Sequence, residues 1–257
     1  MKLFKEKPLH KKIIIAILLL LFSLFAFGVI YNIFSLNHAI INGHIARVKF
    51  LLRLGYSVNG KNDLIGSPLY FAVSNDSKDI IELLLSQGAN INAKDKNAMT
   101  ALDHAIILNR KAAAKLLVEK GAQLNDCNLH WAAYEGNNEL VELLLKKGLN
   151  VNASCHPEGH KGIDLSAPLY GAITNDYSDV AEILIAHGAI INPQTQNYSP
   201  LHAAASSRAH KTMKLLISKG AKINVKDKEG HTPLYYATKK EDIEGQQILI
   251  AAGGIRN

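Results

Sequence analysis

The sequence predicts an all-α protein: a solenoid of about seven helix-turn-helix units preceded by one N-terminal transmembrane helix. Three observations predict this fold. Glycine recurs at near-constant intervals, with asparagine four residues later at all seven places, the last of them the C-terminal residue of the sequence. A second motif, built around Pro-Leu or Leu and ending in Ala, recurs before each glycine. A long uncharged apolar run follows a cluster of lysines near the N-terminus.

The first predicted element is the N-terminal helix. Ile13 to Phe34 contains 22 residues without a charge. At about 1.5 Å per residue, such a helix is roughly 33 Å long, close to the ~30 Å hydrocarbon core of a bilayer. Residues 1–12 carry five lysines and one glutamate, whereas Ser35 to Ala46 carry no lysine or arginine. The positive-inside bias therefore predicts a cytoplasmic tail at 1–12, a signal-anchor helix at 13–34 and an extracytoplasmic domain at 35–257, periplasmic in a Gram-negative bacterium.

A cleaved signal peptide is the alternative for this segment. Its basic start, its apolar centre and the sequence Ala26-Phe27-Gly28 together resemble a processing site. The apolar run continues past Gly28 to Phe34, which favours the uncleaved anchor. Without residues 1–12 the net charge falls from +7 to +3, so the basic composition does not indicate nucleic-acid binding.

The glycine period defines the elements that follow. Successive spacings are 33, 33, 27, 40, 32 and 33 residues, a pattern typical of stacked repeats. The glycines are Gly55, Gly88, Gly121, Gly148, Gly188, Gly220 and Gly253. Apolar runs before them, such as Ile80 to Leu85, predict a helix that each glycine ends in the left-handed conformation.

An earlier helix is predicted in each unit by the second motif. Ser or Thr caps a helix N-terminus, and Pro is tolerated at the first helical position because its missing N–H would be unpaired there. The motif begins at Ser67, Thr100, Cys127, Ala167, Ser199 and Thr232, and the unit that starts at Leu36 keeps its phase without Thr-Pro. A small Ala at its end lets neighbouring helices approach.

This motif resembles the Thr-Pro-Leu-His-x-Ala start of the ankyrin repeat. The resemblance covers residues 35–257 and implies units of two helices followed by a loop or hairpin, here called a finger. The implied units are about 35–59, 67–92, 100–125, 127–152, 167–192, 199–224 and 232–257. The 27-residue spacing leaves the loop from Asn125 to Asn128 almost without a finger, and the 40-residue spacing enlarges the loop from Ala153 to Ala167.

The resemblance also implies a groove lined by the residue that precedes the motif's Ala. Three consecutive rings, Phe71, His104 and Trp131, are predicted to line its middle, with Tyr134 one turn beyond Trp131. Exposed aromatic residues commonly anchor protein interfaces, so these four are the predicted protein-binding residues. Packing between repeats is the alternative. A structural hydrogen-bonding role is predicted for the preceding position, held by Tyr70, His130, Tyr170, His202 and Tyr235.

Two cysteines, Cys127 and Cys155, complete the candidate residues. In an oxidising compartment they are expected to pair, and free thiols are the alternative. His156 and His160 would add two ligands for a metal, but no fourth is evident and the spacing matches no zinc pattern, so no metal site is expected.

The predicted function is a monomeric, membrane-tethered protein-binding module that uses its concave face and the 153–167 loop. Bacterial ankyrin proteins of similar build include inhibitors or immunity partners of toxic enzymes. We expect no enzymatic activity, cofactor, nucleic acid or small-molecule substrate. The alternatives are a secreted effector that acts in a host cell, or an enzyme with a site in the 155–160 loop.

Overall fold

The computed structural model describes residues 35–60, 67–155, 167–193 and 198–255. Within these ranges the chain forms fourteen α-helices, in two compact units that divide after Asn90. The predicted transmembrane helix, residues 13–34, lies outside the described part. No described helix is both long enough and apolar enough to cross a bilayer.

The helices come in pairs, seven in all within the described ranges. The first unit contains α1 (Leu36–Ile41), α2 (Ile45–Arg53), α3 (Pro68–Ser74) and α4 (Lys78–Ser86). The second begins with α5 (Ala101–Ile107), α6 (Lys111–Glu119), α7 (Asp126–Tyr134), α8 (Asn138–Lys146) and α9 (Pro168–Thr174). It ends with α10 (Ser178–Ala186), α11 (Pro200–Ser207), α12 (His210–Ser218), α13 (Pro233–Lys239) and α14 (Ile243–Ala251).

Polar caps start most of the first helices of the pairs. The hydroxyl oxygen of Thr100 accepts a hydrogen bond from the N–H of Asp103, whose carboxylate in return accepts from the N–H of Thr100. The same side-chain cap is made by Ser35, Ser67, Ser199 and Thr232, so the first helix is capped even without the Thr-Pro start. These contacts satisfy N–H groups that have no partner inside the helix.

Each second helix is followed by one C-cap residue and then by one of the seven periodic glycines. Their φ angles lie between +86° and +91°, the left-handed region that glycine enters without steric cost. Between the two helices of a pair lies another residue with positive φ, and five of these seven are not glycine: Asp76, Asn109, Asp176, Arg208 and Glu241.

Within each compact unit, the core lies where the first helices of neighbouring repeats meet and beneath the second helices. The Ala that ends the recurrent motif is 0% exposed in all seven first helices. Leu84, Leu117, Leu144 and Leu184 are equally buried in the second helices. The small residue permits close helix approach, while the leucines pack beneath the second helices.

Asparagine, four residues after the periodic glycine, joins neighbouring repeats. Asn192 Nδ2 donates to the carbonyl of Gly220 at 2.9 Å, and its Oδ1 accepts from the N–H of Lys222 at 2.8 Å. The same two bonds are made by Asn59, Asn152 and Asn224. Asn125 has a different role: it is the N-cap of α7, and its Oδ1 accepts from the N–H of Asn128. Since the finger is missing here, the residue that ends one repeat also starts the next.

Candidate functional site

The candidate site is on α7, which lies within the shortened 27-residue spacing, one helix before the enlarged 40-residue spacing begins. Two hydrogen bonds link its start to α5, because Asp103 Oδ1 accepts from Asn125 Nδ2 at 3.2 Å and from Asn128 Nδ2 at 2.8 Å. Cys127, Trp131 and Tyr134 follow at intervals of four and three residues, so they share one helix face.

Trp131 is the exposed ring of this face. Its side chain is 37% exposed. Its ring contacts those of Tyr134 and His130 edge-on, with ring centroids 5.6 Å and 5.3 Å apart. We call His130, Trp131 and Tyr134 the α7 aromatic patch. Edge contacts of this kind hold the rings in place, so the patch offers a preformed apolar surface.

Two features of the neighbouring repeats leave Trp131 open. In the preceding repeat, the 27-residue spacing removes the finger that would lie beside the ring. In the following repeat, the equivalent position is Gly171, which has no side chain. A Cβ added to Gly171 would lie 2.8 Å from the carbonyl oxygen of His130 and 3.1 Å from the amide nitrogen of Tyr134. Glycine therefore allows α9 to pack against the backbone of α7 without covering the aromatic patch.

His104 has a different environment from the one predicted. Its Nε2 lies 2.8 Å from Asp95 Oδ2 in the preceding finger, and both side chains are largely buried. Burial alone would raise the pKa of Asp95, but hydrogen bonds from the N–H of Met99, from His104 and from the N–H of Asn97 outweigh it, and the pKa is lowered. This ring therefore helps to fix the finger.

Tyr236 repeats this arrangement in the last pair of helices. Its hydroxyl donates to Asp227 Oδ2 at 2.6 Å, and Asp227 is 3% exposed. Burial, followed by this bond to an acidic acceptor, raises the pKa of Tyr236. Finger aspartate and ring are nine residues apart in both cases. Ala122 stands nine residues before Trp131, so α7 lacks this partner.

Phe71 is predicted to line the groove, but the structure shows it buried. It belongs to the first compact unit, is 8% exposed and meets the ring of Tyr70 edge-on at 5.4 Å. The physical reason is its place among the core residues of α3, where Leu69, Ala72 and Val73 are also buried. Of the four predicted binding residues, Trp131 and Tyr134 remain as the candidate contact surface.

A disulfide bond links Cys127 to Cys155 in the structure. It joins the first turn of α7 to the start of the enlarged loop, three residues after Asn152. The other end of the enlarged loop also contacts α7, because His130 Nδ1 lies 3.3 Å from the carbonyl oxygen of Ala167. The intervening residues 156–166, including His156 and His160, lie outside the described part. The two boundaries of the loop are thus attached to the helix that carries the aromatic patch.

In three of the described repeats, the residue before the groove position forms the structural hydrogen bond that the sequence predicts for it. Tyr170 hydroxyl donates to the carbonyl of Tyr198 at 2.8 Å, and His202 Nε2 donates to that of His231 at 3.0 Å. His130 makes the comparable contact with Ala167. These side chains connect a first helix to the backbone that precedes the next one.

The described residues offer binding surface more than catalytic chemistry. They contain no group of three or more His, Cys, Asp or Glu side chains placed to hold a metal ion. The residues that sequence reasoning missed are Gly171, Asp95 and Asp227. The repeated nine-residue spacing from finger aspartate to ring is a signal that could have identified the two aspartates.

Known proteins share both the sequence pattern and the fold. The family described as ankyrin repeats (3 copies) matches residues 36–128, 129–227 and 169–256. An ankyrin repeat protein of Rickettsia felis is 34% identical over 109 residues, which are 39% of this chain and 46% of that protein. Human ankyrin repeat and SOCS box protein 16 is 35% identical over 92 residues, 36% of this chain and 20% of that protein. The matches thus span less than half the length of these relatives.

Solved structures agree in fold. The human ASB11 ankyrin repeat domain has a TM-score of 0.73 and 27% identity, covering 87% of this chain and 99% of that one. An ankyrin repeat domain from Acinetobacter baumannii has a TM-score of 0.59 and 27% identity, covering 73% of this chain and 98% of that one. Ankyrin repeats are binding scaffolds, typically for proteins and not typically enzymatic. From Leu36 onward, this chain is a member of the ankyrin repeat family.

Proposed function

We propose that this protein is a membrane-tethered ankyrin domain that binds a protein partner through the α7 aromatic patch. The observation that carries the proposal is the exposure of Trp131, 37%, at a place where the finger is missing and the next repeat contributes Gly171. The equivalent rings His104 and Tyr236 are each hydrogen-bonded to a finger aspartate. Trp131 is therefore available as an interface anchor, a role in which tryptophan is enriched.

Two attachments support a role for the surface beside the patch. The Cys127–Cys155 bond and the His130–Ala167 contact hold both ends of the enlarged loop against α7. Insertions in repeat proteins map to loops, often on the binding face. The concave face and the 153–167 loop are thus proposed to contact the same partner.

The membrane tether rests on sequence. The uncharged run at 13–34 follows five lysines, and this asymmetry favours a cytoplasmic N-terminus with the repeats on the extracytoplasmic side. A tether restricts the domain to partners near the membrane. The sharper form of the proposal is an inhibitor or immunity partner of a toxic enzyme, with the domain acting as a monomer.

The test begins with a photoreactive phenylalanine derivative placed at Trp131 in membranes that contain the full chain. Its crosslinked product identifies the partner, whose affinity is then measured by titration. Trp131→Ala is expected to weaken binding by about 2 kcal/mol, or roughly 30-fold in Kd, because interface energy concentrates in a few buried aromatic side chains.

Two control variants separate binding from folding. Ile250→Ala removes an exposed apolar side chain, 50%, on α14, outside the first helices that carry the groove residues, and is expected to leave affinity unchanged. Leu144→Ala empties a fully buried position and should cost about 2–5 kcal/mol of unfolding free energy. The proposal fails if Trp131→Ala destabilises the fold as Leu144→Ala does, or if it folds normally and binds at full strength.

A further inference from the structure

The first repeat has an exposed face of unusual composition. Lys49 and Phe50 are followed four residues later, one helical turn on, by Arg53 and Leu54, along α2 and its C-cap, so the four lie on one side of the helix. Phe50 is 54% exposed and Leu54 is 55% exposed, and both cationic side chains are exposed as well. Tyr56, directly after the helix-ending glycine, is 39% exposed.

The same positions in the other repeats show that this composition is specific to the first. The residue before the periodic glycine is polar or small elsewhere: Gln87, Lys120, Lys147, His187, Lys219 and Ala252. The residue after it is Ala89, Ala122, Leu149, Ala189, Ala221 or Gly254. A large apolar side chain at the first position and an aromatic ring at the second are therefore departures from the repeat pattern, at positions where the pattern does not require them.

Phe50 also differs in exposure from its equivalents. Five residues before the glycine, the other repeats place apolar side chains that are buried or half-buried: Leu83, Leu116, Leu143, Ile183, Leu215 and Ile248. Phe50 is the largest of the seven and is exposed. Phe50, Leu54 and Tyr56 together form an apolar patch bordered by two cations, which we call the α2 face.

The charge of the first repeat is equally distinctive. Residues 35–60 contain Arg47, Lys49 and Arg53 and no acidic residue. Residues 61–257 contain 21 basic and 21 acidic residues, so their charges balance. The net charge of the chain beyond residue 34 thus resides in this one repeat, which makes it attractive to an anionic surface.

The position of the repeat in the chain identifies that surface. The uncharged run ends at Phe34, and Ser35 already caps α1. A residue of extended chain spans at most about 3.6 Å, so a repeat that follows the span without a linker stays close to the bilayer. Aromatic and apolar side chains beside lysine and arginine are the composition of segments that enter the headgroup region of membranes.

We propose that the α2 face docks the first repeat onto an anionic phospholipid surface. Phe50, Leu54 and Tyr56 enter the boundary between headgroups and acyl chains, and Lys49 and Arg53 contact lipid phosphates. This inference rests on the proposed membrane tether. Its consequence is that the first repeat is held against the bilayer surface.

The experiment uses the full chain in lipid nanodiscs that contain phosphatidylglycerol. Phe50→Trp is introduced together with Trp131→Phe, so the new indole is the only one in the protein. With brominated acyl chains in the disc, its emission is expected to be blue-shifted and about twofold weaker than with unbrominated lipid, because bromine quenches only a nearby indole. Discs of phosphatidylcholine alone are expected to give weaker quenching, since each cation near an anionic surface adds to binding.

Charge reversal supplies the matched controls. Lys49→Glu with Arg53→Glu should abolish the quenching, whereas Lys146→Glu with Lys147→Glu, two exposed lysines at the end of α8, should leave it unchanged. An unquenched, solvent-like indole overturns the inference. A blue-shifted but unquenched indole also overturns it, because a protein segment or a second copy of the chain then covers the face.

A second measurement, whether the chain stays inserted when the discs are extracted, separates this inference from the proposed tether. If the chain remains inserted while the indole at position 50 is unquenched, the α2 face does not dock on lipid and the tether stands. If the chain does not insert at all, both the tether and the docking inference are overturned.

Discussion

At the scale of single residues, Gly171 shows how the absence of a side chain shapes the candidate site. Its backbone allows α9 to approach α7 so closely that a Cβ would lie 2.8 Å from the carbonyl oxygen of His130. Backbone atoms cannot move aside as a flexible side chain can. Glycine therefore has a packing role here that outweighs its low helix propensity.

Gly171→Ala is expected to destabilise the protein by about 1–3 kcal/mol, the usual cost of forcing extra atoms into a packed contact. Helix propensity alone predicts the opposite sign, a gain of up to about 1 kcal/mol. Urea unfolding of both proteins measures the difference. A variant as stable as the parent would show that α9 can shift without cost.

His202 is a second residue whose environment determines a measurable property. It is 0% exposed; its Nδ1 accepts from the N–H of Ser199 at 3.0 Å, and its Nε2 donates to the carbonyl of His231. Burial lowers the pKa of His202 and outweighs the opposing effect of its carbonyl acceptor. The folded state therefore holds this imidazole neutral at a pH where the unfolded chain begins to take up a proton.

The linkage predicts an acid-dependent loss of stability from this residue. An unfolded histidine titrates near pH 6.5, so the contribution of neutral His202 is complete above that pH and falls as the pH drops towards its lowered folded pKa. His202→Gln removes the titration. The stability difference between wild type and variant should therefore be largest at pH 7.5 and smaller at pH 5.5 in urea unfolding. A difference that stays constant across this range would contradict the prediction.

At the scale of elements, α7 depends on an unusual set of connections. Asn125 caps this helix, whereas the corresponding Asn59, Asn152, Asn192 and Asn224 clamp the following repeat through its glycine carbonyl. The disulfide joins Cys127, in the first turn of α7, to Cys155 in the loop that follows the same repeat. A covalent link thus begins two residues after the asparagine that caps α7 and does not clamp the next glycine carbonyl.

Removal of the disulfide is expected to destabilise the fold. The cysteines are 28 residues apart, and the chain-entropy relation gives about 3.6 kcal/mol for closing a loop of that length. Unfolding with and without reductant should show this difference in the wild type and none in the Cys127→Ser/Cys155→Ser variant. Equal thiol labelling of the unfolded wild type with and without reductant would show that the bond does not form.

The sequence predicts the helix pairs well, because the residues that start the first helix and end the second act locally. The periodic glycines take positive φ at the ends of all seven second helices, and polar residues cap most first helices. The turns inside the pairs were not predictable in this way. Asp76, Asn109, Asp176, Arg208 and Glu241 adopt positive φ although glycine is the usual sequence signal for it.

The candidate site was predictable only in part. Phe71, His104 and Trp131 occupy equivalent positions in sequence, yet one is buried, one binds a finger aspartate and one is exposed. Those differences arise from neighbours that are distant in sequence, namely a finger that is absent and a glycine in the next repeat. The position of a residue within its repeat indicates which way its side chain points. The neighbouring repeats determine how exposed that side chain is.

At the scale of the whole molecule, positive charge is concentrated near the N-terminus. Residues 1–12 carry five lysines and one glutamate, residues 35–60 carry three basic residues and no acid, and the rest is balanced. Basic groups therefore flank the uncharged run on both sides, with the larger number ahead of it. The proposed orientation rests on this difference, because the positive-inside bias favours a cytoplasmic location for the more basic flank.

A topology experiment tests that orientation. A fusion reporter that is active only outside the cytoplasm is expected to be active after Asn257 and inactive when inserted before Ile13, because five lysines ahead of the run outnumber the three basic residues behind it. Replacing Lys2, Lys5, Lys7, Lys11 and Lys12 by glutamine should remove the preference and reduce the C-terminal signal. Fractionation of the unmodified chain should recover it at full length in membranes. A shorter product that begins near Val29 would instead indicate signal cleavage, and an active cytoplasmic reporter at the C-terminus would reverse the orientation.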